Sequence, residues 1–210
     1  MERPPSILFL DIETFASWDK PSIDDIHAPA NYKDPAVIQK WKEENLDKAW
    51  RKQALDITKG KVICIGYAID DNPVETISSD NEEELMQAFS KVVGINPYIQ
   101  FCGHNIKRFD LPWLWIRAVR YKLKSAVSII PHTRNDGNII DTMEIFSATS
   151  FGSDSWLSMA DLCAYFGLEG KGDMDGSKVH DAYINKEHDK IATYCKGDVE
   201  RIRTIYNLTQ

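Results

Sequence analysis

The sequence predicts a mixed α/β fold in which helices cover a five-stranded sheet. The runs KVICIGYAI (61–69) and PVETIS (73–78) are rich in β-forming residues and are separated by a short turn, as in a β-hairpin. From Asp80 onward, helical and strand patterns alternate along the chain. An antiparallel pair followed by alternating helices and strands is typical of a mixed sheet with helices packed on its faces.

Strands and helices can be placed along most of the chain. The strands are expected at 6–11, 61–69, 73–78, 98–103 and 138–143. The first helix begins after Asp34-Pro35, because aspartate caps a helix and proline suits its first turn, and it ends near Leu55. The other helices are expected at 82–93 after an Asp80 or Asn81 cap, at 111–123, at 158–168 and from His188 to Leu208. The segment 16–58 is therefore a helical insertion after the first strand.

Length and composition favour one globular domain over residues 1–210. Hydrophobic residues make up 43% of the chain, and no apolar run reaches the roughly 18 residues of a membrane span. The N-terminal MERPPSILFLD lacks the long apolar segment of a secretory signal. The cysteines are isolated, without a CxxC spacing, which is typical of reduced thiols in a cytosolic core. We therefore expect a cytoplasmic protein without a membrane partner.

Charge is unevenly distributed along the chain. The net charge of −7 argues against a passive nucleic-acid coat protein, which is usually basic. The segment 105–134 is nevertheless basic, because Asp110 is its only acidic residue. Its cations are Lys107, Arg108, Arg117, Arg120, Lys122, Lys124 and Arg134. Such a run is most often a solvated helix face, and contact with phosphates is the alternative.

An apolar strand leads directly into two carboxylates in the stretch LFLDIET (8–14). Residues i and i+2 of a strand share a face, so the side chains of Asp11 and Glu13 lie together. Two like charges on a partly buried face repel each other and lose hydration. The pattern therefore predicts that another group compensates this repulsion.

Two further carboxylates occur near polar or aromatic residues in separate elements. Asp110 follows His104 and Asn105 at the start of a predicted helix. Tyr194 and Asp198 are four residues apart and share one face of the last helix. Each residue also has a structural explanation: Asp110 as a helix cap, Glu13 as a turn cap, Tyr194 as a core residue, and Asp198 as a partner of Lys196 or Arg201.

Three segments together resemble the exonuclease motifs of the DEDD superfamily of 3′–5′ exonucleases. DIET (11–14), GHNIKRFDLPWL (103–114) and YCKGDV (194–199) occur in the family's order. Thr193 and Tyr194 resemble the tyrosine branch, since the other branch has histidine five residues before the last aspartate. The segments ALDITKGKVICIGYA (54–68) and LSMADLCAYFGLEGKGDMDGSKV (157–179) are similar to stand-alone exonucleases related to the proofreading domain of family B DNA polymerases.

The resemblance implies a ribonuclease H-like fold and phosphodiester hydrolysis with two divalent cations, Mg²⁺ or Mn²⁺. An all-carboxylate site suits such hard cations, which also neutralise the repulsion within the cluster. By the same resemblance Asp11 bridges both cations, while Glu13 and Asp198 complete the site that activates the attacking water. Asp110 serves the second cation. Tyr194, as a phenol with a pKa of about 10, orients the nucleophile rather than acting as a base.

The resemblance also implies a slot for a terminal nucleotide. Its expected contacts are Ile12, Thr14, Phe15, His104, Asn105, Lys107, Arg108 and Phe109. Phe15 or Phe109 is expected to stack on a base, and Lys107 and Arg108 to meet the phosphate backbone. In the glycine-rich segment 168–179, Lys171 and Lys178 are further candidates for phosphate contact, with a plain surface turn as the alternative.

The expected substrate is the 3′ end of DNA, preferably single-stranded. The preference for DNA rests on the family resemblance, and RNA stays an alternative because the fold and the cations suit either polymer. Two other classes of protein stay open. One is an inactive nucleic-acid-binding module on the same fold, and the other is a phosphatase in which Asp11 is the nucleophile. The sequence indicates no particular protein partner.

Overall fold

The computed structural model describes residues 6–133, 137–148, 156–170 and 172–210. The strands are β1 (Ile7–Phe15), β2 (Lys61–Ile69), β3 (Glu75–Ser78), β4 (Gln100–Gly103) and β5 (Ile139–Asp141). The helices are α1 (Pro35–Lys52), α2 (Glu82–Val93), α3 (Asp110–Arg120), α4 (Lys124–Ile129), α5 (Thr142–Ala148), α6 (Met159–Phe166), α7 (Val179–Ile184) and α8 (His188–Asn207). Single 3-10 turns at Ile23–Asp25 and Gln53–Leu55 flank α1.

The five strands form one mixed sheet in the order β3-β2-β1-β4-β5. The pairs β1–β2 and β2–β3 are antiparallel, and the pairs β1–β4 and β4–β5 are parallel. Helix α1 and its flanking turns lie between β1 and β2 in the chain. The structure thus confirms the predicted mixed five-stranded sheet and the helical insertion after the first strand.

Strand β1 is central and is longer than its neighbour β4. It pairs with β2 from Leu8 to Phe15, whereas it pairs with β4 only from Ile7 to Phe9. The second half of β1 therefore has no strand on its β4 side. The expected end of this strand at Asp11 was wrong, because the long strand β2 supplies a ladder partner beyond the carboxylates as far as Phe15.

The two faces of β1 contact different helices. Leu8, Leu10 and Ile12 join a core cluster with residues of α2, α3 and α4. On the opposite face, Phe9 packs with residues of α6 and α8, and Phe15 packs with residues of α7 and α8. The alternation expected of a strand buried on both sides therefore places Asp11 and Glu13 on the face of α7 and α8.

Three short helices were absent from the sequence prediction. Helix α4 follows α3 after a turn at Lys122, whose φ of 56° is in the left-handed region. Helix α5 begins at Thr142, where the strand was expected to continue to residue 143, and α7 covers Val179–Ile184. Elements of six or seven residues span less than two helical turns, too few for a periodic pattern to identify them.

A buried ion pair joins α3 to α2. Arg117 is only 2% exposed, and its Nε lies 2.6 Å from Oε1 of Glu82. Its other nitrogens donate to the carbonyl oxygens of Ile57 (2.9 Å) and Gly60 (2.6 Å), while Glu82 also accepts from the hydroxyl of Tyr121. The expectation that Arg117 faces solvent or phosphate was wrong, because the guanidinium fastens the loop before β2 to the helical layer.

The rest of the basic stretch is exposed where the structure describes it. Arg120, Lys122 and Lys124 are exposed, as expected of a solvated helix face, and Arg134 lies outside the described residues. The four cysteines are buried, and none of them is in a disulfide. None of the helices in the described part of the chain is long and apolar enough to cross a membrane.

We expect Arg117→Met to lower the free energy of unfolding by about 3–5 kcal/mol, because it leaves the Glu82 carboxylate buried without its cation. Urea denaturation measures this difference. The matched control is Arg120→Met on the same helix, where the side chain is exposed and the expected change is about 0.5 kcal/mol or less. Equal losses in both variants would contradict the structural role of Arg117.

Candidate active site

A cleft of about 390 Å³ lies at the second half of β1. The five residues predicted to be catalytic line it together: Asp11, Glu13, Asp110, Tyr194 and Asp198. Four of the predicted substrate contacts line it as well: Ile12, His104, Asn105 and Phe109. The structure therefore brings together residues from β1, from the loop before α3 and from α8, which are far apart in the sequence.

Asp11 and Glu13 lie side by side, as the alternation of a strand requires. Ligand atoms of Asp11, Glu13 and Cys195 all lie within 4.8 Å of one another. Asp11 is half-buried, and Glu13 is buried. The Cys195 thiol of α8 is 3.7 Å from Oδ2 of Asp11 and 3.5 Å from its carbonyl oxygen, so the thiol is placed as a weak hydrogen-bond donor.

Asp110 takes the place of a strand beside the part of β1 that does not pair with β4. Its Oδ1 accepts a hydrogen bond of 3.1 Å from the backbone N–H of Ile12. This N–H belongs to the half of β1 that has no pairing with β4. Asp110 is the first residue of α3 rather than its N-cap, and it is buried. Burial is the main reason why the pKa of its carboxyl is raised to about 7; backbone hydrogen bonds, including that from Ile12, oppose this rise, and the charges of Asp141 and Asp198 add to it.

Asp198 is held by an arginine one turn further along α8. Nη1 of Arg201 lies 3.0 Å from Oδ1 of Asp198, and both side chains are largely buried. The same guanidinium donates to the carbonyl oxygens of Glu169 (3.2 Å) and Gly170 (2.6 Å) in the loop after α6. The pairing with Arg201 that the sequence offered as a structural explanation therefore exists, and Asp198 still lines the cleft.

Tyr194 stays a neutral phenol over the accessible pH range. Burial raises the pKa of its hydroxyl well above the usual value, and the charges of Asp198, Glu13 and Asp11 add to this effect. The hydroxyl also hydrogen-bonds the side chain of Asp198. A phenol that resists ionisation is suited to donate a hydrogen bond and is unsuited to accept a proton as a base.

Asp141 is a carboxylate that the sequence analysis missed. It ends β5, and it accepts the backbone N–H groups of Asn105 (2.9 Å), Lys107 (3.1 Å) and Met143 (3.0 Å). Asn105 has a φ of 63°, a left-handed conformation that asparagine tolerates better than most residues. Asp141 therefore shapes the loop that leads to Asp110. The available signal was a carboxylate within the last residues of the predicted strand 138–143.

His104 is oriented by a hydrogen-bond chain at the cleft wall. Its Nδ1 is 3.0 Å from Oγ1 of Thr142, and the Thr142 hydroxyl donates to the carbonyl oxygen of Gly103. Because that hydroxyl has a single proton, it accepts from His104, which fixes the proton on Nδ1. Nε2 of the neutral ring is then an acceptor.

The structure gives three of the predicted substrate contacts other partners within the protein. Phe15 is fully buried, with its ring 4.4 Å from that of Tyr183, so it is unavailable for stacking on a base. The Thr14 hydroxyl donates to the carbonyl oxygen of Ala54. Phe15 is covered by α7, and Thr14 contacts the turn after α1. No local pattern around DIET predicts either contact. Lys107 is committed to Glu144 at 2.7 Å.

The lysines of the glycine-rich segment give no support to phosphate contact. Nζ of Lys178 donates to the carbonyl oxygen of Asp173 at 2.6 Å and lies 3.6 Å from the carboxylate of Asp175. Lys178 therefore stabilises its own surface turn. Lys171 lies outside the described residues. Arg108 is exposed beside the cleft, next to Phe109.

The donor set of the cleft fits hard divalent cations. Its ionisable oxygen donors are the carboxylates of Asp11, Glu13, Asp110 and Asp198, and such donors are preferred by Mg²⁺ and Mn²⁺. Burial raises the pKa of the adjacent Cys195 thiol, and Cys64 and Asp11 raise it further. A thiol in its neutral form is a poor metal ligand. The cluster is therefore a possible acidic metal site rather than a thiolate site.

The fold is ribonuclease H-like, and the carboxylates at the end of its central strand define a candidate nuclease site. Residues 58–207 match a protein family described as "Predicted 3'-5' exonuclease related to the exonuclease domain of PolB". The chain belongs to this family. The matched range contains Asp110, Tyr194 and Asp198, whereas Asp11 and Glu13 precede it. No curated protein matches the chain.

The structure is also similar to a solved family B DNA polymerase from the hyperthermophilic archaeon Pyrobaculum calidifontis. The TM-score is 0.53 with 14% sequence identity, over 95% of this chain and 24% of the polymerase. At this identity the similarity concerns the fold. The chain spans about a quarter of the polymerase's length, 24% of it.

We expect Asp11→Asn to abolish the stabilisation of the protein by divalent cations. Without cations the variant should melt at a higher temperature than the wild type, because one of the clustered negative charges is removed. Mn²⁺ or Mg²⁺ at 100 times its Kd should stabilise the wild type by about 2.7 kcal/mol, and this gain should be lost in the variant.

Thermal unfolding with and without a chelator measures both effects. Asp71→Asn, an exposed aspartate outside the cleft, is the control and should keep the cation response of the wild type. A cation response that is unchanged in Asp11→Asn would remove Asp11 from the proposed ligand set.

Proposed function

We propose that the protein is a metal-dependent 3′–5′ exonuclease that hydrolyses phosphodiester bonds at the 3′ end of DNA, with a preference for single strands. The observation that carries the proposal is the convergence of carboxylates from β1, α3 and α8 in one cleft. Membership of a family of predicted 3′–5′ exonucleases supports the same reaction.

The proposed ligands of two divalent cations are Asp11, Glu13, Asp110 and Asp198. When bound, such a pair of cations supplies an activated water and stabilises the leaving oxygen of an in-line displacement. A ligand atom of Asp11 lies within 4.8 Å of ligand atoms of both Glu13 on β1 and Cys195 on α8, which supports its assignment as the bridging ligand. Arg201 holds Oδ1 of Asp198 at 3.0 Å, which keeps this carboxylate in the cleft.

Tyr194 is proposed to position the attacking water. Its hydroxyl hydrogen-bonds Asp198 and lies among the negative charges of the strand carboxylates, which keep it protonated. Because the hydroxyl donates its single proton to Asp198, its oxygen accepts a hydrogen bond from the water in a fixed direction, and this restricts the orientation of the nucleophile. Tyr194 is therefore not assigned as the base that takes the proton from the attacking water.

The size and lining of the cleft support cleavage at a chain end. A volume of about 390 Å³ is at the small end of the range of ligand sites, so the cleft suits one terminal nucleotide better than a continuous strand. Phe109, His104 and Asn105 line it as the proposed contacts of that nucleotide. The preference for DNA rests on the relation to the polymerase exonuclease domain, and RNA is the second candidate substrate.

We expect Asp11→Asn and Asp198→Asn to lower hydrolysis of a 5′-labelled single-stranded oligonucleotide by about 10³-fold or more, because each removes a charged ligand of the proposed cations. A time course on a sequencing gel should show the wild type shortening DNA stepwise from its 3′ end, and only with Mg²⁺ or Mn²⁺. Circular dichroism checks that the variants are folded.

Three comparisons make this experiment decisive. Asp71→Asn should retain the wild-type rate, since its side chain is exposed away from the cleft. Matched DNA and RNA strands, each single- or double-stranded, determine the preferred polymer. Full activity of either cleft variant, or shortening from the 5′ end, would refute the proposed site or the proposed direction.

We expect Tyr194→Phe to lower kcat by about 10- to 100-fold, the effect of losing one hydrogen bond of about 1–3 kcal/mol. Because the pKa of Tyr194 lies well above 10, the phenol is protonated throughout pH 6–10 in the wild type. The shape of the pH–rate profile should therefore be the same in both proteins. A titration between pH 6 and 10 that disappears in Tyr194→Phe would instead identify the tyrosine as a base.

A further inference from the structure

An arginine and a tryptophan stack on each other outside the group of carboxylates. The guanidinium carbon of Arg108 lies 3.8 Å from the ring centroid of Trp156, within the range of a cation–π contact. Trp156 nevertheless remains 46% exposed, and Arg108 is exposed as well. Nearly half of the indole is therefore open to solvent, which leaves part of its ring surface available to a ligand.

Both residues adjoin, along the chain, residues that line the candidate active site, and this places the pair at its rim. Arg108 directly precedes Phe109 and Asp110, which line the cleft, and Trp156 is two residues before Ser158, which lines it too. The pair therefore bridges the entrance between the segment that begins α3 and the segment that begins α6. A strand whose last nucleotide occupies the cleft passes this rim with the nucleotides on its 5′ side.

The charges at the rim favour a polyanion. Lys107 is neutralised by Glu144 at 2.7 Å, whereas Arg108 forms no salt bridge with any residue that the structure describes. An arginine without a carboxylate partner keeps its positive charge available at the entrance of an otherwise acidic site. Aromatic rings combined with arginine are the elements by which proteins bind unpaired bases and the phosphates that connect them.

We propose that Trp156, supported by Arg108, stacks on an unpaired base located a few nucleotides to the 5′ side of the terminal nucleotide. The inference rests on the proposed function and adds the physical basis of a preference for single strands. A base in a duplex is already stacked and paired, so its face cannot reach the indole. Stacking is tolerant of sequence, so any of the four bases suits this position.

A scan with abasic nucleotides tests this assignment. The substrates are 5′-labelled single strands with one abasic nucleotide at the second, third, fourth or fifth position from the 3′ end. In the wild type, kcat/KM for removal of the terminal nucleotide should fall about tenfold at one of these positions, the size expected for one stacking contact. For Trp156→Ala, kcat/KM on the intact strand should be about tenfold below that of the wild type, and an abasic nucleotide at that position should lower it no further.

Two variants and one small substrate complete the design. Trp156→Phe should keep most of the abasic penalty because it keeps an aromatic face. Tyr165→Ala, which removes another exposed aromatic residue of this region, should behave as the wild type. The p-nitrophenyl ester of thymidine 5′-phosphate has no upstream base, so Trp156→Ala should hydrolyse it at the wild-type rate. An RNA series locates the same position if RNA is also a substrate.

The possible failures are distinguishable. If Trp156→Ala retains the full abasic penalty, or loses as much activity on the nitrophenyl ester as on the strand, the stacking assignment is overturned while the exonuclease stands. If the wild type cleaves neither the strands nor the ester with Mg²⁺ or Mn²⁺, the proposed function fails and the stacking assignment fails with it.

Discussion

Four carboxylates held close together in one cleft repel each other, and the architecture around them serves to keep them there. Asp11 and Glu13 cannot separate because they are consecutive same-face residues of a strand that pairs with β2 without interruption from Leu8 to Glu13. Asp110 cannot withdraw because it replaces a strand as the partner of the Ile12 N–H. The repulsion among these carboxylates is the physical reason why this site should bind cations.

The fourth carboxylate is supported from outside the cleft. Arg201 holds Asp198 on one side and two backbone carbonyls of the loop after α6 on the other, so the position of α8 and the position of this loop depend on each other. Asp141 performs a similar task for the loop before α3 by accepting three backbone N–H groups. Neither residue needs to touch a substrate to matter, because each fixes the geometry of groups that line the cleft.

Much of the fold followed from local patterns in the sequence. The hairpin of β2 and β3, the asparagine cap of α2 and the long helix α8 all have strong local signals, and the structure contains each of them. The short helices α4, α5 and α7 lacked such signals, since their stability comes from packing on the sheet rather than from their own periodicity. The length of β1 was also underestimated, because a strand continues as far as its partner does.

The contacts around the site were predictable to different degrees. The grouping of the five predicted catalytic residues was anticipated from three motifs, although their proposed roles await experiment. Phe15 and Lys107 show the limit of such reasoning: a phenylalanine beside a catalytic motif was covered by the aromatic side chains of α7, and a lysine was paired with Glu144. Trp156 carried no motif at all, and only its contact with Arg108 made it a candidate.

The sequence alone determined which side chains share a face, because the periods of 2.0 for a strand and 3.6 for a helix are properties of the local backbone. It thereby determined that Asp11 and Glu13 share one face of their strand and that Tyr194 and Asp198 share one face of their helix. Only the tertiary structure decided that these two pairs meet Asp110, which arginine is buried and which stays exposed at the rim, and which aromatic ring is free to stack. Those outcomes depend on which elements pack together, and packing joins residues that no local period relates.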